Sequence, residues 1–306
     1  MTLVSDEVAG DPVRDQRWIR RSLRKLQAAL GNHGQGLSPM TIRRILRKAG
    51  IQSRGNIKHL TAKPHPDRDK QFRYLMKTRR TFVTRGDPVI SVDTMETQKI
   101  GLYAQRGKAW NQSPPQVYSL DFPLRDTLRA VPYGIYDVQT NRGMVCVGVS
   151  GNTPDFAVEA IVRWWQREGR RRYAGKSKLL ILADGGGANG SHPRRWRLQL
   201  QRRLANRYGL HITVCHYPPG ASKWNPIEHL LFCQISLTWA GLPLTSLELM
   251  IEAMRSTKTT TGLCVAAFVL PGDFPTKVPV AKNEWARVRI YQHRTCPKWN
   301  LSLIHI

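Results

Sequence analysis

Two apolar runs that each end on an aspartate constrain the fold of this chain more than any other feature. Residues 89–92 run into Asp93, and residues 179–183 run into Asp184. Each run has the length and composition of a strand that is buried within a sheet. Buried strands of this kind require helices on the faces of their sheet, so the two runs favour an α/β fold.

Strands and helices alternate along most of the chain after residue 88, which predicts a mixed α/β sheet with flanking helices. The first two strands are predicted at residues 89–93 and 99–104. Residues 105–132 are expected to be irregular because they contain four prolines. The other predicted elements are a hairpin over 133–138 and 144–149, helices over 154–168, 193–208 and 226–240, and strands over 178–183 and 210–215.

Two helices are predicted near the start of the chain. Residues 18–30 place apolar side chains at helical spacing, and Ser38 caps a second helix that stops at Gly50. One face of the second helix is basic, which favours a small helix-turn-helix-like DNA-binding segment. The alternative is a surface helix with a solvated basic face. The basic residues are Arg43, Arg44, Arg47 and Lys48.

The charge of the chain identifies its expected partner. Lys and Arg total 48 against 21 Asp and Glu, a formal net charge of +27, and most of the excess lies in residues 1–88 and 161–207. Such an excess repels itself unless a polyanion neutralises it, so nucleic acid is the expected partner. An anionic membrane is the alternative, but no basic amphipathic helix with a clean apolar face supports it.

Targeting and redox features point to the cytoplasm. The longest apolar run, residues 263–270, is far shorter than the roughly 20 residues of a membrane span. Residues 1–15 are acidic and polar, unlike a signal peptide. The five cysteines are scattered without a C-x-x-C pair, which argues against a zinc ribbon and favours reduced thiols.

A third acid, Glu228, complements the two strand-end aspartates, and no other Asp or Glu lies between Asp184 and Glu228. If the strands that precede Asp93 and Asp184 are neighbours, their carboxylates repel each other unless cations lie between them. Carboxylate oxygens select hard ions such as Mg²⁺ or Mn²⁺. The pattern therefore suggests a site that holds divalent metal ions against a polyanion, with Glu228 completing the ligand set.

Each acid also has a purely structural interpretation. Asp93 and Asp184 could end their strands in Asx-turns. Glu228 could close a capping box with Asn225, with Pro226 in the first turn. Residues 185–190 also spell G-x-G-x-x-G after a strand, but the acid that a dinucleotide site needs about 20 residues later is missing.

Four segments carry a resemblance to a known family: residues 88–94, 131–138, 182–190 and 216–229. They resemble DDE-type transposases of bacterial insertion sequences, and most closely the Rhodopirellula-type transposases. The Asn-Pro-Ile-Glu core of the last segment is the most specific match, because it recurs in related transposase families. The resemblance covers roughly residues 20–300 and implies a ribonuclease H-like fold, in agreement with the order of strands and helices.

By that resemblance, Asp93, Asp184 and Glu228 are the catalytic acids and hold two Mg²⁺ or Mn²⁺ ions. The implied activity is metal-dependent cleavage at transposon ends, followed by transfer of the freed 3′-hydroxyl to target DNA. Double-stranded DNA is the implied partner, and synapsis of two ends implies a homo-oligomer on DNA. Family members usually begin further upstream, so we expect this chain to hold only a remnant of the DNA-binding region.

Further DNA contacts are predicted beside the acids. Lys223 and Trp224 precede Glu228 closely, where a cation and an aromatic ring suit phosphate contact and base stacking. Packing of Trp224 on its helix is an equal alternative. An Arg-rich helix could follow a DNA backbone, although helical periodicity turns some of its arginines to solvent in any case. Its arginines are Arg194, Arg195, Arg197, Arg202 and Arg203.

These features divide the chain into four predicted parts. They are an N-terminal helical DNA-binding remnant over 1–50, a basic linker and helix over 51–87, a ribonuclease H-like catalytic domain over 88–300, and an atypical tail over 301–306. A DNA transposase, acting in the bacterial cytoplasm at the nucleoid, is the predicted function. The alternatives are a ribonuclease H-like nuclease that cuts without joining and a non-catalytic DNA-binding fragment of a transposase.

Overall fold

The computed structural model describes residues 8–11, 16–19, 22–32, 34, 36–53, 65–119 and 127–306. The chain divides into two compact units, Met1–Ala62 and Lys63–Ile306. Most of the predicted linker falls in residues 54–64, outside the described part.

The first unit contains a two-stranded antiparallel sheet and two helices. Strand β1, Val8–Asp11, pairs with β2, Gln16–Ile19. Helix α1 spans Leu23–Asn32 and α2 spans Pro39–Lys48. The helix predicted from residue 18 therefore begins later, because residues 16–19 pair as a strand.

Helix α2 forms as its end signals predict. The hydroxyl of Ser38 accepts a hydrogen bond from the Thr41 N–H at 3.1 Å, which satisfies one of the free donors of the first turn. At the other end Gly50 adopts a φ of +78°, and the Ile51 N–H donates back to the Leu46 carbonyl at 2.8 Å. Glycine reaches this left-handed conformation without strain, so the helix ends there.

The second unit is built on a nine-stranded mixed sheet, counted over the described residues. Its strands are β3 Val89–Thr94, β4 Gln98–Lys99, β5 Arg129–Asp137, β6 Arg142–Gly148, β7 Lys178–Ala183, β8 His211–His216, β9 Cys264–Val269, β10 Ile290–Gln292 and β11 Asn300–Leu303. Its helices are α3 Arg68–Thr84, α4 Pro154–Trp164, α5 Arg170–Arg172, α6 Arg194–Leu200, α7 Asn206–Tyr208, α8 Cys233–Thr238, α9 Leu247–Arg255 and α10 Lys282–Ala286.

The strand order identifies the fold. The sheet runs β10-β11-β8-β7-β3-β5-β6-β9, with β4 beside β5. Strand β7 is parallel to both β3 and β8, whereas β5 is antiparallel to both β3 and β6. The central order β6-β5-β3-β7-β8 with this one antiparallel strand in its interior is the ribonuclease H-like arrangement, and the predicted fold class is confirmed.

Helices cover both faces of the sheet because alternate strand residues are apolar on each side. On one face, Ile90 and Val92 join a core that includes Phe156 of α4 and Trp196 of α6. On the opposite face α3 covers β7 and β8, whereas α8 and α9 cover β5 and β6. In the described part of the chain, no helix combines the length and the apolar character that crossing a bilayer requires.

Three predicted helices are interrupted by π-helical turns, in which each N–H bonds five residues back. These turns are Trp165–Gly169, Gln201–Ala205 and Glu228–Phe232. Such turns are uncommon and often lie at functional sites. The third contains Glu228.

The C-terminal part of the sheet differs from the prediction. Strand β11 lies between β8 and β10, and its four residues are buried. Residues 301–303, which were expected to belong to an atypical tail, lie in this strand. They complete the hydrogen bonding of β8 and belong to the sheet.

Candidate functional site

Asp93 and Asp184 lie at the same edge of the sheet. Strands β3 and β7 are parallel neighbours, and Val92 is paired with Ala183. The residue after each of these is the aspartate, so Asp93 and Asp184 occupy equivalent positions towards the carboxyl ends of the two strands. This edge is where open α/β sheets place their sites.

Glu228 reaches the same edge from the other side of β3. A 3₁₀ turn, Ser222–Trp224, is followed by Asn225, and the chain then turns into the helix that contains Glu228. The Ile227 N–H donates to the Ser91 hydroxyl at 3.1 Å, which fixes the first helical turn on β3. Glu228 and Asp93 lie close enough for each to influence the pKa of the other, so these two acids share one site.

The capping-box interpretation of Glu228 does not describe this helix. The Asn225 N–H donates to the Ser222 carbonyl at 2.8 Å, and its side chain turns to β3. The Asn225 N–H that a capping box would use is therefore already bonded.

The two aspartates differ in their local bonding. The Asp93 carboxylate accepts from the N–H of the next residue, Thr94, at 2.8 Å, which is not an Asx-turn. The Asp184 carboxylate accepts from the Asn189 side-chain amide at 3.5 Å, and the Gly186 N–H lies near it, two residues on, as in an Asx-turn. A carboxylate has four lone-pair directions, so this turn leaves Asp184 able to bind a further group.

The electrostatics of the site disfavour three negative charges. Burial raises the pKa of Asp93 to about 7, and the neighbouring Asp184 and then Glu228 add to the effect. Burial also raises the pKa of Asp184 and of Glu228. Ionising these three carboxyls therefore costs free energy, and a bound cation would offset that cost.

The donor set suits a hard divalent cation, since all three side chains offer carboxylate oxygens. The acids do not form a finished ligand set, however. Over the described residues, no group of three or more His, Cys, Asp or Glu side chains is arranged to hold a metal ion. The three side chains would therefore have to rearrange to become ligands of one ion.

The loop after β7 is shaped by its glycines. Gly187 has a φ of +66°, and a Cβ on Gly190 would lie 3.0 Å from the Gly185 carbonyl oxygen. The loop contains a short 3₁₀ turn, Gly187–Asn189, and α6 begins only at Arg194. A dinucleotide-binding loop opens directly into its helix, so these glycines are better explained by the tight turn beside Asp184.

Sequence patterns did not identify several polar residues that support the site. Asn225 and Ser91 are fully buried and bonded to each other at 2.5 Å. His216 is also fully buried, and it holds the Asn189 carbonyl of the glycine loop at 2.9 Å. In a sequence, a buried polar residue next to an apolar run cannot be distinguished from one at the surface. Only Asn225 had a signal, because it belongs to the Asn-Pro-Ile-Glu core.

Lys223 and Trp224 lie on the surface near the acids. Trp224 is 56% exposed, with its ring edge-on to Phe72 at 6.2 Å and the Lys223 ammonium 5.7 Å from its centre. Trp224 thus packs on one side only. Its predicted contact with DNA bases stays a prediction.

The arginines of α6 and the turn after it are largely engaged within the protein. Arg195 forms a two-point ion pair with Asp155, with an N–O distance of 2.9 Å. Arg202 pairs with Glu284 at 2.9 Å, and Arg203 pairs with Glu159. Arg194 is exposed and lies over the Trp285 ring at 5.3 Å, so it is the better placed of the predicted pair Arg194 and Arg195 to meet a phosphate.

The basic residues of α2 are exposed, namely Arg43, Arg44, Arg47 and Lys48. Ile42 is buried against Leu26 and Leu30 of α1. Ile45 is 49% exposed. The exposed surface of this helix therefore mixes cations with an apolar side chain.

Comparison with known proteins gives one family match. A family model described as "Rhodopirellula transposase DDE domain" matches residues 1–304. The match includes residues 301–304, most of the segment that the sequence predicted to be an atypical tail. A search of curated proteins found no match.

Solved structures give weaker likenesses. The Mos1 transposase paired-end complex with left transposon end is 16% identical, with a TM-score of 0.46, over 74% of this chain and 63% of that chain. The Mos1 strand transfer complex is 16% identical, with a TM-score of 0.46, over 81% of this chain and 72% of that chain. The likeness to the paired-end complex spans less than two thirds of the Mos1 chain.

Proposed function

Since the chain belongs to the Rhodopirellula transposase DDE-domain family, we propose that it is a DNA transposase that cleaves transposon ends and transfers them into target DNA. The unit of residues 63–306 would carry the chemistry. The basic helix α2 of the first unit would contribute to binding of the ends.

One observation supports this proposal more than any other. The register of β3 and β7 puts Asp93 and Asp184 at one edge of the sheet, and Glu228 lies close enough there for its charge to raise the pKa of Asp93. Three acids from distant parts of the chain meet at a surface of a protein with a net charge of +27. Acids so placed suit a site that handles phosphodiesters through cations.

We propose that Asp93, Asp184 and Glu228 hold Mg²⁺ or Mn²⁺, and that two ions are bound. Such ions, when bound, polarise the scissile phosphate and assist both the attacking and the leaving oxygen. The protein's own part is to orient the carboxylates. Strand pairing fixes Asp93 and Asp184, and the contact of Ile227 with Ser91 fixes the helical turn of Glu228.

Cleavage and joining are both in-line displacements at phosphorus, so one set of acids can serve both. In cleavage the attacking group is water, and in joining it is the 3′-hydroxyl of the cut end. Lys223 and the exposed ring of Trp224 would hold the strand beside the acids through its phosphate and a base. We further propose that the protein acts as a homo-oligomer on DNA at the nucleoid, because two ends are joined in one event.

The test uses DNA fragments that carry the sequences on either side of the reading frame. With Mg²⁺ or Mn²⁺ the wild-type protein is expected to nick these fragments, and to join pre-cut ends to a second DNA. The variants Asp93→Ala, Asp184→Ala and Glu228→Ala should lose both products and keep salt-sensitive DNA binding. Glu252→Ala is the matched control, because Glu252 is an acid that pairs with Arg255 on the surface.

The alternatives predict other products. A ribonuclease H-like nuclease would cut the fragments but yield no joined DNA from pre-cut ends. A non-catalytic DNA-binding fragment would bind the ends and yield neither product with either ion. Loss of both products in Glu252→Ala as well would remove the assignment to these three acids.

A further inference from the structure

The side chain of Asn225 makes three contacts to a single strand, β3, next to Asp93. Its oxygen accepts a hydrogen bond from the Ser91 hydroxyl at 2.5 Å. Its amide nitrogen donates to the Val92 carbonyl at 3.2 Å and to the Asp93 carboxylate at 3.4 Å. Asn225 and Ser91 are each fully buried, so these bonds form away from water and are costly to leave unmade.

Ser91 extends the same contact to the Glu228 helix. While its hydroxyl donates to Asn225, its oxygen accepts from the Ile227 N–H at 3.1 Å. Ser91 therefore bonds simultaneously to the residue before the helix and to the residue before Glu228. We call the pair Ser91 and Asn225 the polar latch.

Close packing independently holds this helix at the same place. Gly134 is paired with Asp93 in the sheet, and a Cβ on it would lie 2.5 Å from the Phe232 ring and 2.8 Å from the Ile227 side chain. A Cβ on Gly143 of the adjacent strand would lie 2.4 Å from Leu231. Glycines at both positions let the helix approach the strands more closely than any other residue would allow.

Apolar packing and the polar latch act differently. Ile227, Leu231 and Phe232 are buried and hold the helix on the sheet, but apolar contacts are non-directional. Hydrogen bonds to Ser91, Val92 and Asp93 define which turn of the helix faces Asp93. A shift of the first turn would move Glu228 relative to the two aspartates while much of the apolar contact remained.

We infer that Asn225 and Ser91 are positioning residues that set Glu228 against Asp93, and that this latch, rather than the apolar packing alone, determines the affinity of the site for its divalent ion. The inference rests on the proposed function, in which the three acids hold the ion. Residues that orient metal ligands in this way typically change metal affinity or activity by about 10- to 100-fold when they are removed.

The experiment is a titration of the full chain with Mn²⁺, in which electron paramagnetic resonance measures the free ion. Asn225→Ala and Ser91→Ala are each expected to raise the Kd for Mn²⁺ by about tenfold or more. The double variant should weaken binding by less than the sum of the two single effects, because the two substitutions remove one hydrogen bond in common. Ser91→Ala deletes one oxygen atom, so it keeps the test possible if Asn225→Ala fails to fold.

Gln201→Ala is the matched control. Gln201 is a buried amide with three hydrogen bonds, to Asn206, to the Ile304 carbonyl and from the Arg289 N–H. Its loss should lower the stability towards urea as much as Asn225→Ala does, yet leave the Kd for Mn²⁺ unchanged. A purely structural role for the latch would make the two variants alike in both measurements.

The outcomes separate the latch from the proposed function. If wild type binds Mn²⁺ and Asp93→Ala does not, whereas the two latch variants bind as wild type does, the latch inference is overturned and the metal site stands. If wild type shows no binding that depends on Asp93, Asp184 and Glu228, the proposed metal site itself fails. Strictly additive weakening in the double variant would also contradict the latch, because it would show that Ser91 and Asn225 act separately.

Discussion

Replacing Asp93 by Asn should stabilise the metal-free protein, because the buried carboxylate lacks a cation. Asp93 is 8% exposed, and burial with the charges of Asp184 and Glu228 raises its pKa to about 7. In the unfolded chain the same carboxyl ionises near pH 4. Between these two values the folded state retains a proton that the unfolded state has lost. The free energy of unfolding must therefore fall as the pH rises from about 4 to 7 and stay low above 7.

The size of the effect follows from the shift. The pKa of Asp93 is about three higher in the folded protein than in the unfolded chain. At 1.36 kcal/mol for each pKa unit, this difference gives an upper limit of about 4 kcal/mol at pH 8. Relaxation around the charge reduces this limit, and about 2 kcal/mol is a reasonable expectation. For a folded unit of this size that corresponds to an increase in Tm of about 4–8 °C. Asparagine keeps the shape of the side chain and can still accept from the Thr94 N–H.

Asp137→Asn is the matched comparison, since the two buried aspartates have opposite surroundings. Asp137 accepts from the Tyr173 hydroxyl at 2.7 Å and lies 3.7 Å from the Arg172 guanidinium. Removing its charge leaves Arg172 with one fewer partner, so this variant should melt at a lower temperature than wild type.

The assay is thermal unfolding at pH 8 in the presence of EDTA, repeated at pH 5 and with added Mn²⁺. The advantage of Asp93→Asn should shrink at pH 5, and Mn²⁺ should raise the Tm of wild type but not of the variant. A metal-free Asp93→Asn protein that melts below wild type at pH 8 would refute the reasoning, because the carboxylate would then be stabilised where it stands. An increase in Tm for both aspartate variants would show that burial alone decides the sign.

Three further predictions concern the packing and the DNA-binding surface. Gly134→Ala should lower the free energy of unfolding in urea by about 1–3 kcal/mol, because its Cβ would clash with Phe232. Adding Phe232→Leu should restore part of that free energy, and no restoration would exclude the clash. Gln71→Ala should lower the free energy of unfolding by about 1–3 kcal/mol, because the Gln71 amide bonds to Asn300 and to the His216 carbonyl. Unchanged stability would show that these bonds contribute nothing. Neutralising the four basic residues of α2 should flatten the salt dependence of DNA binding by about 0.9 in log–log slope for each DNA phosphate that the helix no longer neutralises; an unchanged slope would exclude this helix from the DNA backbone. The residues to be replaced by Gln are Arg43, Arg44, Arg47 and Lys48.

The edge that carries the aspartates could be predicted from the sequence because its signals are local. Each aspartate follows an apolar run, and the strands found at Val89–Thr94 and Lys178–Ala183 are close to those predicted. The expectation that these two strands are neighbours came from the resemblance and from the fold class, because periodicity alone does not show which strands pair.

The C-terminal strands were missed because their pairing is non-local. Residues 264–269 form an apolar run, but only their parallel pairing with β6 makes them a strand. The short β10 has no distinctive pattern, and it exists because β11 lies beside it. Sheet formation at such positions depends on tertiary context more than on propensity.

The polar latch could not be predicted for a different reason. The sequence Asn225-Pro226 looks like the start of a helix, and a side chain that caps its own helix is the ordinary expectation. Its burial against Ser91, more than a hundred residues away, depends on the closeness of the helix to the sheet. The sequence does not show how near this helix lies to the sheet. The structure shows it, because the helix packs against Gly134 of β5 and Gly143 of β6.

The pairing of β3 with β7 also determines what a misassembled copy of this protein can do. Side chains alternate between the two faces of a strand, so a slip of one residue would turn Asp93 towards α4 and present Val92 to Glu228. A chain caught in such an arrangement, or one still lacking its glutamate-bearing helix during synthesis, would bring no complete set of acids together. If the protein cleaves DNA as proposed, faulty molecules would be inert towards the genome of the cell, and cleavage would be restricted to molecules that have finished folding.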